Sequence, residues 1–339
     1  MDPTRVKRKS VSYGKYGLFF VLPFFIIFAI FQFYPIIYSI IISFTTFGGY
    51  DVSVDLSTFT TDKYAALLNN AKFWQSILNT FIIWIINFIP QIVLAFLFAA
   101  IFSSVTMKLR GAKAFKIIYY LPNIIMATTV AVLFEVLFEY KRGFLDIVMK
   151  SMGLFDEEFS FGRSIWGSRL VISFIQFWRY FGYTILTLAA SMISINPTYY
   201  EAAKIDGCSG ARSFFSITVP LMRPIILYTL ITSLVGGLQM FEMPFLMFGS
   251  GPSLTNGGRA SETAAVFIYN MAFKSPNDYA MASAASVYLF IIILALSVIT
   301  FMFFGEQAFG IKKQDKPKKD KLAATRPISD AAADKGVQA

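Results

Sequence analysis

Residues 196–224, NPTYYEAAKIDGCSGARSFFSITVPLMRP, place a polar stretch rich in small residues between two long apolar runs. Asn196 predicts a helix N-cap with Pro197 at the first helical position, where the missing N–H costs nothing. Gly207 stands where a left-handed residue would end that helix. One helix of about ten residues is specified. Ser209 predicts the cap of a second helix through Phe214 and Phe215, until Pro220 and Pro224 break it and turn the chain into the next apolar run. The stretch is a stiff elbow. Whether it joins two core helices or two membrane spans depends on the length of its neighbours.

Those neighbours are long. A spanning helix needs about 20 predominantly apolar residues, and six stretches qualify, at roughly 17–43, 76–102, 117–138, 169–194, 225–248 and 281–305. The first follows Arg5, Lys7, Arg8 and Lys9 like a secretion signal. Its apolar part far exceeds an h-region of about 7–15 residues and ends at no small-residue cleavage site, so it reads as a retained helix. The expected fold is all-α and integral to a lipid bilayer. It has an N-terminal segment at 1–16, a six-helix domain at 17–305 and a tail at 306–339 whose Lys, Asp, Ala and Pro mixture has the composition of disorder.

Composition agrees. The chain has 339 residues, 56% of them hydrophobic and only 15% charged, with a mean hydropathy of +0.60. A formal net charge of +10 raises the question of nucleic acid. The basic residues are dealt out between apolar runs rather than gathered on one face, which excludes that reading. A lone cysteine, Cys208, and no histidine rule out an internal disulfide and remove the usual ligands of zinc or haem. No Gly-x4-Gly-Lys-Ser/Thr phosphate loop occurs, so if ATP drives this protein a partner must bind it.

Lysine and arginine placement sets the orientation. The N-terminus, the loop containing Lys108 to Lys116, the elbow and the tail hold 20 of the 30 basic residues, and the opposite loops hold 9. Both termini and the elbow are therefore expected on the cytoplasmic side. The outer loops, near 44–75, 139–168 and 249–280, contain turn formers and short amphipathic pieces at 62–70 and 144–152.

On the first elbow helix, small and apolar side chains alternate with Glu201 and Lys204. By pattern alone it could enter a groove on a partner or lie at the membrane surface. The spacing Glu201-Ala202-Ala203, Gly207, Ile217 and Pro220, with Val219 where leucine is usual, resembles the Glu-Ala-Ala loop of ABC-importer permeases. Ile205-Asp206-Gly207, Leu18 to Pro23 with Tyr34-Pro35, Tyr120-Leu121-Pro122 and Gly249 to Pro252 extend the likeness to the sugar-permease branch, similar to the maltose and glycerol-phosphate importers. The resemblance covers most of residues 15–305. It implies a six-helix permease in the bacterial plasma membrane whose Glu201, Ala202, Ala203, Asp206, Gly207, Ile217 and Pro220 serve coupling to cytoplasmic ABC ATPase subunits. It further implies ATP and Mg on those subunits rather than on this chain, a second homologous permease, and an extracellular or periplasmic sugar-binding protein. Compared with the enteric maltose permease, the resemblance is expected not to extend to that protein's extra N-terminal spans or to its large outer domain before the fourth span.

Ionisable residues inside spans usually face a cavity or a partner. Taking 1.5 Å per residue, Glu135, Glu242 and Arg179 lie roughly 5, 10 and 15 Å below the outer surface. With Gln176, Tyr180 and Tyr183 on the fourth span, and Gln239 and Phe241 on the fifth, they offer hydrogen-bonding groups beside flat apolar rings, as a sugar requires. The candidate solute contacts are Gln176, Arg179, Tyr183, Gln239 and Glu242. A plainer alternative pairs Arg179 with Glu242 to hold helices together, and assigns Asn87 and Gln91 to helix packing. At the level of function, the alternative to an ATP-driven importer is an ion- or proton-coupled carrier using Glu135 and Glu242. An enzyme lacks any nucleophile–base or metal constellation.

Overall fold

A computed structural model describes residues 14–49, 59–103, 111–274 and 276–309. All six apolar runs are helical. Helix α1 runs from Gly14–Phe28 through the π-turn Ala29–Phe33 into Tyr34–Ser43. After a short α2 (Asp62–Leu68) come α3 (Ala71–Ser103) and the pair α4 (Ala112–Ile124) and α5 (Ala127–Leu137). The short α6 (Phe144–Ser151) leads to α7 (Ile165–Ile193), the elbow helices α8 (Thr198–Ile205) and α9 (Gly210–Ser213), and α10 (Arg223–Leu238). Last are α11 (Glu242–Leu246), α12 (Ala264–Phe273) and α13 (Tyr279–Phe309). The only extended pairing among the described residues is a bridge between Ser253 and Arg259.

By length and composition, four helical stretches can cross a bilayer: Tyr16–Ser43, Ala71–Ser103, Arg223–Leu246 and Tyr279–Gly305. The third expected span is not one rod. Its halves α4 and α5 meet at a bend of 92°, with Ile125 and Met126 extended between them. Pro122 already denies the last turn of α4 a hydrogen bond, so the helix ends within a turn of it. The fifth span is interrupted too, because Gln239, Met240 and Phe241 separate α10 from α11. Helix α7 is long enough to cross at about 1.5 Å per residue but more polar than the other four, and about half of its side chains are buried among other helices, including Ile172, Ile175, Ile185 and Leu188. The last helix passes the expected boundary at 305 and continues to Phe309. The N-terminal segment up to residue 13 and the tail from 310 lie outside the described residues.

Prolines are absorbed more often than obeyed. Pro35 follows the π-turn of α1, and Pro220 follows a second one at Phe214–Thr218. A proline ring clashes with the carbonyl four residues earlier, and a wider turn just before it makes room. The expected break at Pro220 therefore does not occur. The chain instead yields at Met222, and Pro224 sits in the first turn of α10.

Three apolar clusters tie the helices together. Ile83, Val130, Phe134, Ile172, Ile175 and Met243 join α3, α5, α7 and α11. Phe73, Leu238, Phe267, Ala284 and Leu289 join α3, α10, α12 and α13. Ala95, Ala99, Phe181, Ile185 and Met222 join α3 and α7 to the elbow. Polar bonds fix the ends away from the elbow. Arg169 on α7 donates to Asn79 Oδ1 of α3 at 2.7 Å and to the carbonyl of Ala260 at 2.8 Å, while Asn79 Nδ2 donates to the carbonyls of Arg259 and Glu262 at 2.8 and 3.0 Å. One asparagine thus joins two long helices to the loop before α12.

At Gly182 the backbone of α7 touches the carbonyl of Tyr119 in α4, leaving no room for a side chain. Small residues permit this closeness where helices meet in a bilayer. Gly182→Val forces α4 outward and should cost about 1–3 kcal/mol, read as a lower midpoint of thermal unfolding of the detergent-solubilised chain; an unchanged midpoint contradicts the contact.

Candidate functional site

The break between α10 and α11 opens onto a cavity of about 670 Å³. That lies within the roughly 300–1,000 Å³ of small-molecule sites. Unwound backbone inside a membrane protein is tolerated where it is buried in protein or lines a water-filled space, and interrupted spans are a recurring way of building solute sites. Here three faces converge. Helix α3 supplies Trp84, Asn87 and Gln91; α7 supplies Gln176, Tyr180, Tyr183 and Thr184; α10 supplies Thr229, Thr232, Ser233, Gly236 and Gly237; the interruption adds Gln239, Met240, Phe241 and Glu242.

Each face has a local cause. Gly237 lacks a side chain where the Trp84 ring lies against α10, and the indole N–H donates to Ser233 Oγ at 3.1 Å. Trp84 also stacks on Phe88, with centroids 5.4 Å apart. Gln91 crosses to α7, its Nε2 donating to Thr184 Oγ1 at 2.7 Å. Thr263 Oγ1 donates to the carbonyl of Met240 at 2.7 Å, satisfying one backbone group that the interruption leaves without a helical partner.

Arg179 Nη1 lies 3.2 Å from Glu242 Oε2, a pair joining α7 to α11. The guanidinium also lies over the Tyr180 ring, 5.6 Å from its centroid. The arginine side chain is only 9% exposed and the glutamate 59%. The cation is sunk in the wall and the carboxylate faces the space.

Of the five sequence-derived solute contacts, Gln176, Tyr183, Gln239 and Glu242 line this cavity, and Arg179 stands behind it as the partner of Glu242. Glu135 is exposed on α5 and is not part of the lining. Gln91 does serve packing, through Thr184 of α7, whereas Asn87 donates back to the carbonyl of Ile83 in its own helix, and both line the cavity. The sequence reading missed Trp84, Thr229, Thr232 and Ser233. Their spacing was the available signal: 84, 87 and 91, then 229, 232, 233 and 236, each follow one helical face, a stripe of polar and small residues in an otherwise apolar helix.

The elbow adopts the expected outline with altered caps. Pro197, rather than Asn196, occupies the cap position, and Asn196 Oδ1 accepts from the Thr198 N–H at 3.0 Å. Gly207 has a φ of +74° and ends α8 in the left-handed region. Ser209 caps α9 by accepting from the Arg212 N–H at 3.4 Å. Tyr200 and Thr218 share a 2.9 Å hydrogen bond that closes the elbow. Glu201, Ala202, Asp206 and Gly207 are exposed, Ala203 partly so, and Ile205 is 88% exposed. Ile217 and Pro220 lie half-buried at its base.

Residues 64–308 match the family described as binding-protein-dependent transport system inner membrane component. The chain is similar to the lactose transport system permease protein LacF of Rhizobium radiobacter, with 29% identity over 86% of this chain and 94% of the relative. It is also similar to the multiple sugar-binding transport system permease protein MsmF of Streptococcus mutans, with 27% identity over 80% of this chain and 88% of that one. In fold it matches a chain from a bacterial ABC transporter involved in import of the acidic polysaccharide alginate, with a TM-score of 0.72, 21% identity and coverage of 87% of this chain and 97% of that one.

The Arg179–Glu242 pair is testable by itself. Arg179→Gln, Glu242→Gln and the double variant should show a coupling of about 0.5–1.5 kcal/mol in unfolding free energy. Strict additivity means that the two groups do not interact.

Proposed function

The chain belongs to the binding-protein-dependent transport system inner membrane component family, and on that premise we propose that it is a permease subunit importing a di- or oligosaccharide at the expense of ATP hydrolysed elsewhere. The observation that carries the solute class is the cavity at the interrupted fifth span, in which amides and hydroxyls stand beside the rings of Trp84, Tyr180, Tyr183 and Phe241. Sugars present hydroxyls and flat C–H faces, and that mixture suits both. The relatives named for lactose and for multiple sugars favour the same class. Family membership also displaces the gradient-driven carrier as the source of energy.

In this reading the six-helix domain at 17–305 lies in a bacterial plasma membrane with both termini inside. The exposed α8, with Glu201, Ala202, Ala203, Asp206 and Gly207, enters a cleft on a cytoplasmic ATPase that binds ATP and Mg, and Ile217 and Pro220 brace it. A second permease chain completes the pathway, and an external binding protein delivers the sugar. Closure of the ATPases around nucleotide moves the elbow and exchanges outward for inward access to the cavity. The energetic requirement is that the ATPase bind α8 differently in the two states.

Gly207→Val places a β-branched residue at a left-handed position and distorts the end of α8 that the ATPase would hold. In proteoliposomes containing this chain, its partner permease, the ATPases and the binding protein, ATP-driven sugar uptake should fall at least about tenfold, equivalent to about 1.4 kcal/mol. Glu201→Ala should lower uptake in the same direction, and both variants should insert normally into the membrane. Undiminished uptake by both variants sinks the coupling role.

A further inference from the structure

Resting on that reading, we propose that the cavity selects uncharged oligosaccharides and rejects those carrying carboxylates, and that Glu242 enforces the choice. Two observations bear on this, and the first carries it. The first is charge. Glu242 is the one charged side chain among the lining residues, and it is well exposed. The nearest cation, Arg179, is sunk in the wall with Nη1 turned to Glu242, so the pair presents its negative end to the solute.

The second is the hydrogen-bond inventory of the wall. Many of its donors are already spent inside the protein. Trp84 Nε1 donates to Ser233 and Asn87 Nδ2 to the carbonyl of Ile83. Gln91 Nε2 donates to Thr184, whose own hydroxyl donates to the carbonyl of Tyr180. The hydroxyls of Thr229 and Thr232 donate to the carbonyls of Ile225 and Tyr228. The threonine hydroxyls and the amide oxygens of Asn87 and Gln91 are left to accept, and the donors that remain, on Tyr180, Tyr183, Ser233, Gln176 and Gln239, are neutral, with no cation among them. An alcohol brings its own donors to such a wall, whereas a carboxylate is acceptor-only and needs donors or a cation. A sugar hydroxyl can donate to Glu242; a uronate meets it as a like charge.

A matched pair isolates charge from shape: trigalacturonate and its methyl ester, with maltotriose and lactose as further neutral probes. Binding is measured by equilibrium dialysis on the full importer complex without binding protein. The ester should bind at least about tenfold tighter than the acid. Glu242→Gln should bring that ratio to within about threefold, while Glu242→Asp, which keeps the charge, should leave it wide. The ratio is the useful quantity because general damage to the site weakens both ligands alike. Equal binding of acid and ester by the unaltered complex, or a ratio unmoved by Glu242→Gln, overturns the proposal and leaves sugar import standing. Failure of every saccharide to bind overturns the sugar reading itself.

Discussion

Every backbone amide in the hydrocarbon layer must find its partner within the protein, and the architecture of this chain follows from that requirement. It makes the described residues helical almost throughout and confines irregular backbone to a few sites. Two of those sites interrupt expected spans, at Ile125–Met126 and at Gln239–Phe241. Thr263 satisfies the Met240 carbonyl in the second, and Gly182 brings α7 against α4 at Tyr119, six residues before the first. An unpaired backbone group buried in an apolar medium costs several kcal/mol, so each interruption demands support from a neighbouring element. The helical breaks and the close helix contacts are one design problem.

The polar centre at the end of the bundle away from the elbow obeys the same logic. Asn79 holds Arg169 through its oxygen and two backbone carbonyls of the loop before α12 through its nitrogen. The guanidinium also reaches Ala260. Among these groups no carboxylate neutralises Arg169; backbone and amide dipoles solvate it instead. Such a node is costly to break, because removing one partner leaves the others desolvated. It fixes α3 and α7, two of the three helices around the cavity, against the loop that leads into α12, and so holds the cavity walls at a set separation.

How much of this is legible in the sequence depends on the physics behind each feature. The six runs are visible because length and hydropathy are properties of contiguous residues, and Gly207 and Ser209 are visible because caps are local chemistry. The interruptions are not. Gln239-Met240-Phe241 is no more polar than many helical triplets, and what unwinds it is the support offered by Thr263 and by Met240 and Met243 in a shared core, both tertiary. Pro220 misleads for a related reason, since a proline read alone breaks a helix, whereas the preceding π-turn accommodates it. The site residues divide in the same way. Gln176, Gln239 and Glu242 are conspicuous as polar groups in apolar runs, but Trp84 looks like any lipid-facing aromatic until Gly237 is seen to make room for it.

Elbow and cavity are parts of one lever. Helix α10 starts at Arg223, directly after the elbow, and ends at Leu238, directly before the interruption that forms a cavity wall. Its first turn is anchored through Met222, Ile225 and Ile226 in the cluster that also holds Phe214 of the elbow and Ile185 and Leu188 of α7. The Tyr200–Thr218 bond ties α8 to the π-turn at the elbow's base. A close-packed contact transmits displacement because interiors are hardly compressible, so a force on α8 reaches α10 with little loss along the way. At the far end of α10 the helix gives way to Gln239–Phe241, with Met240 held by Thr263 and by the core, and Glu242 joined to α7 by one ion pair. On the coupling role proposed above, an elbow displaced by an ATPase would move α10 against the residues that line the cavity, because the same helix carries the elbow at one end and a cavity wall at the other.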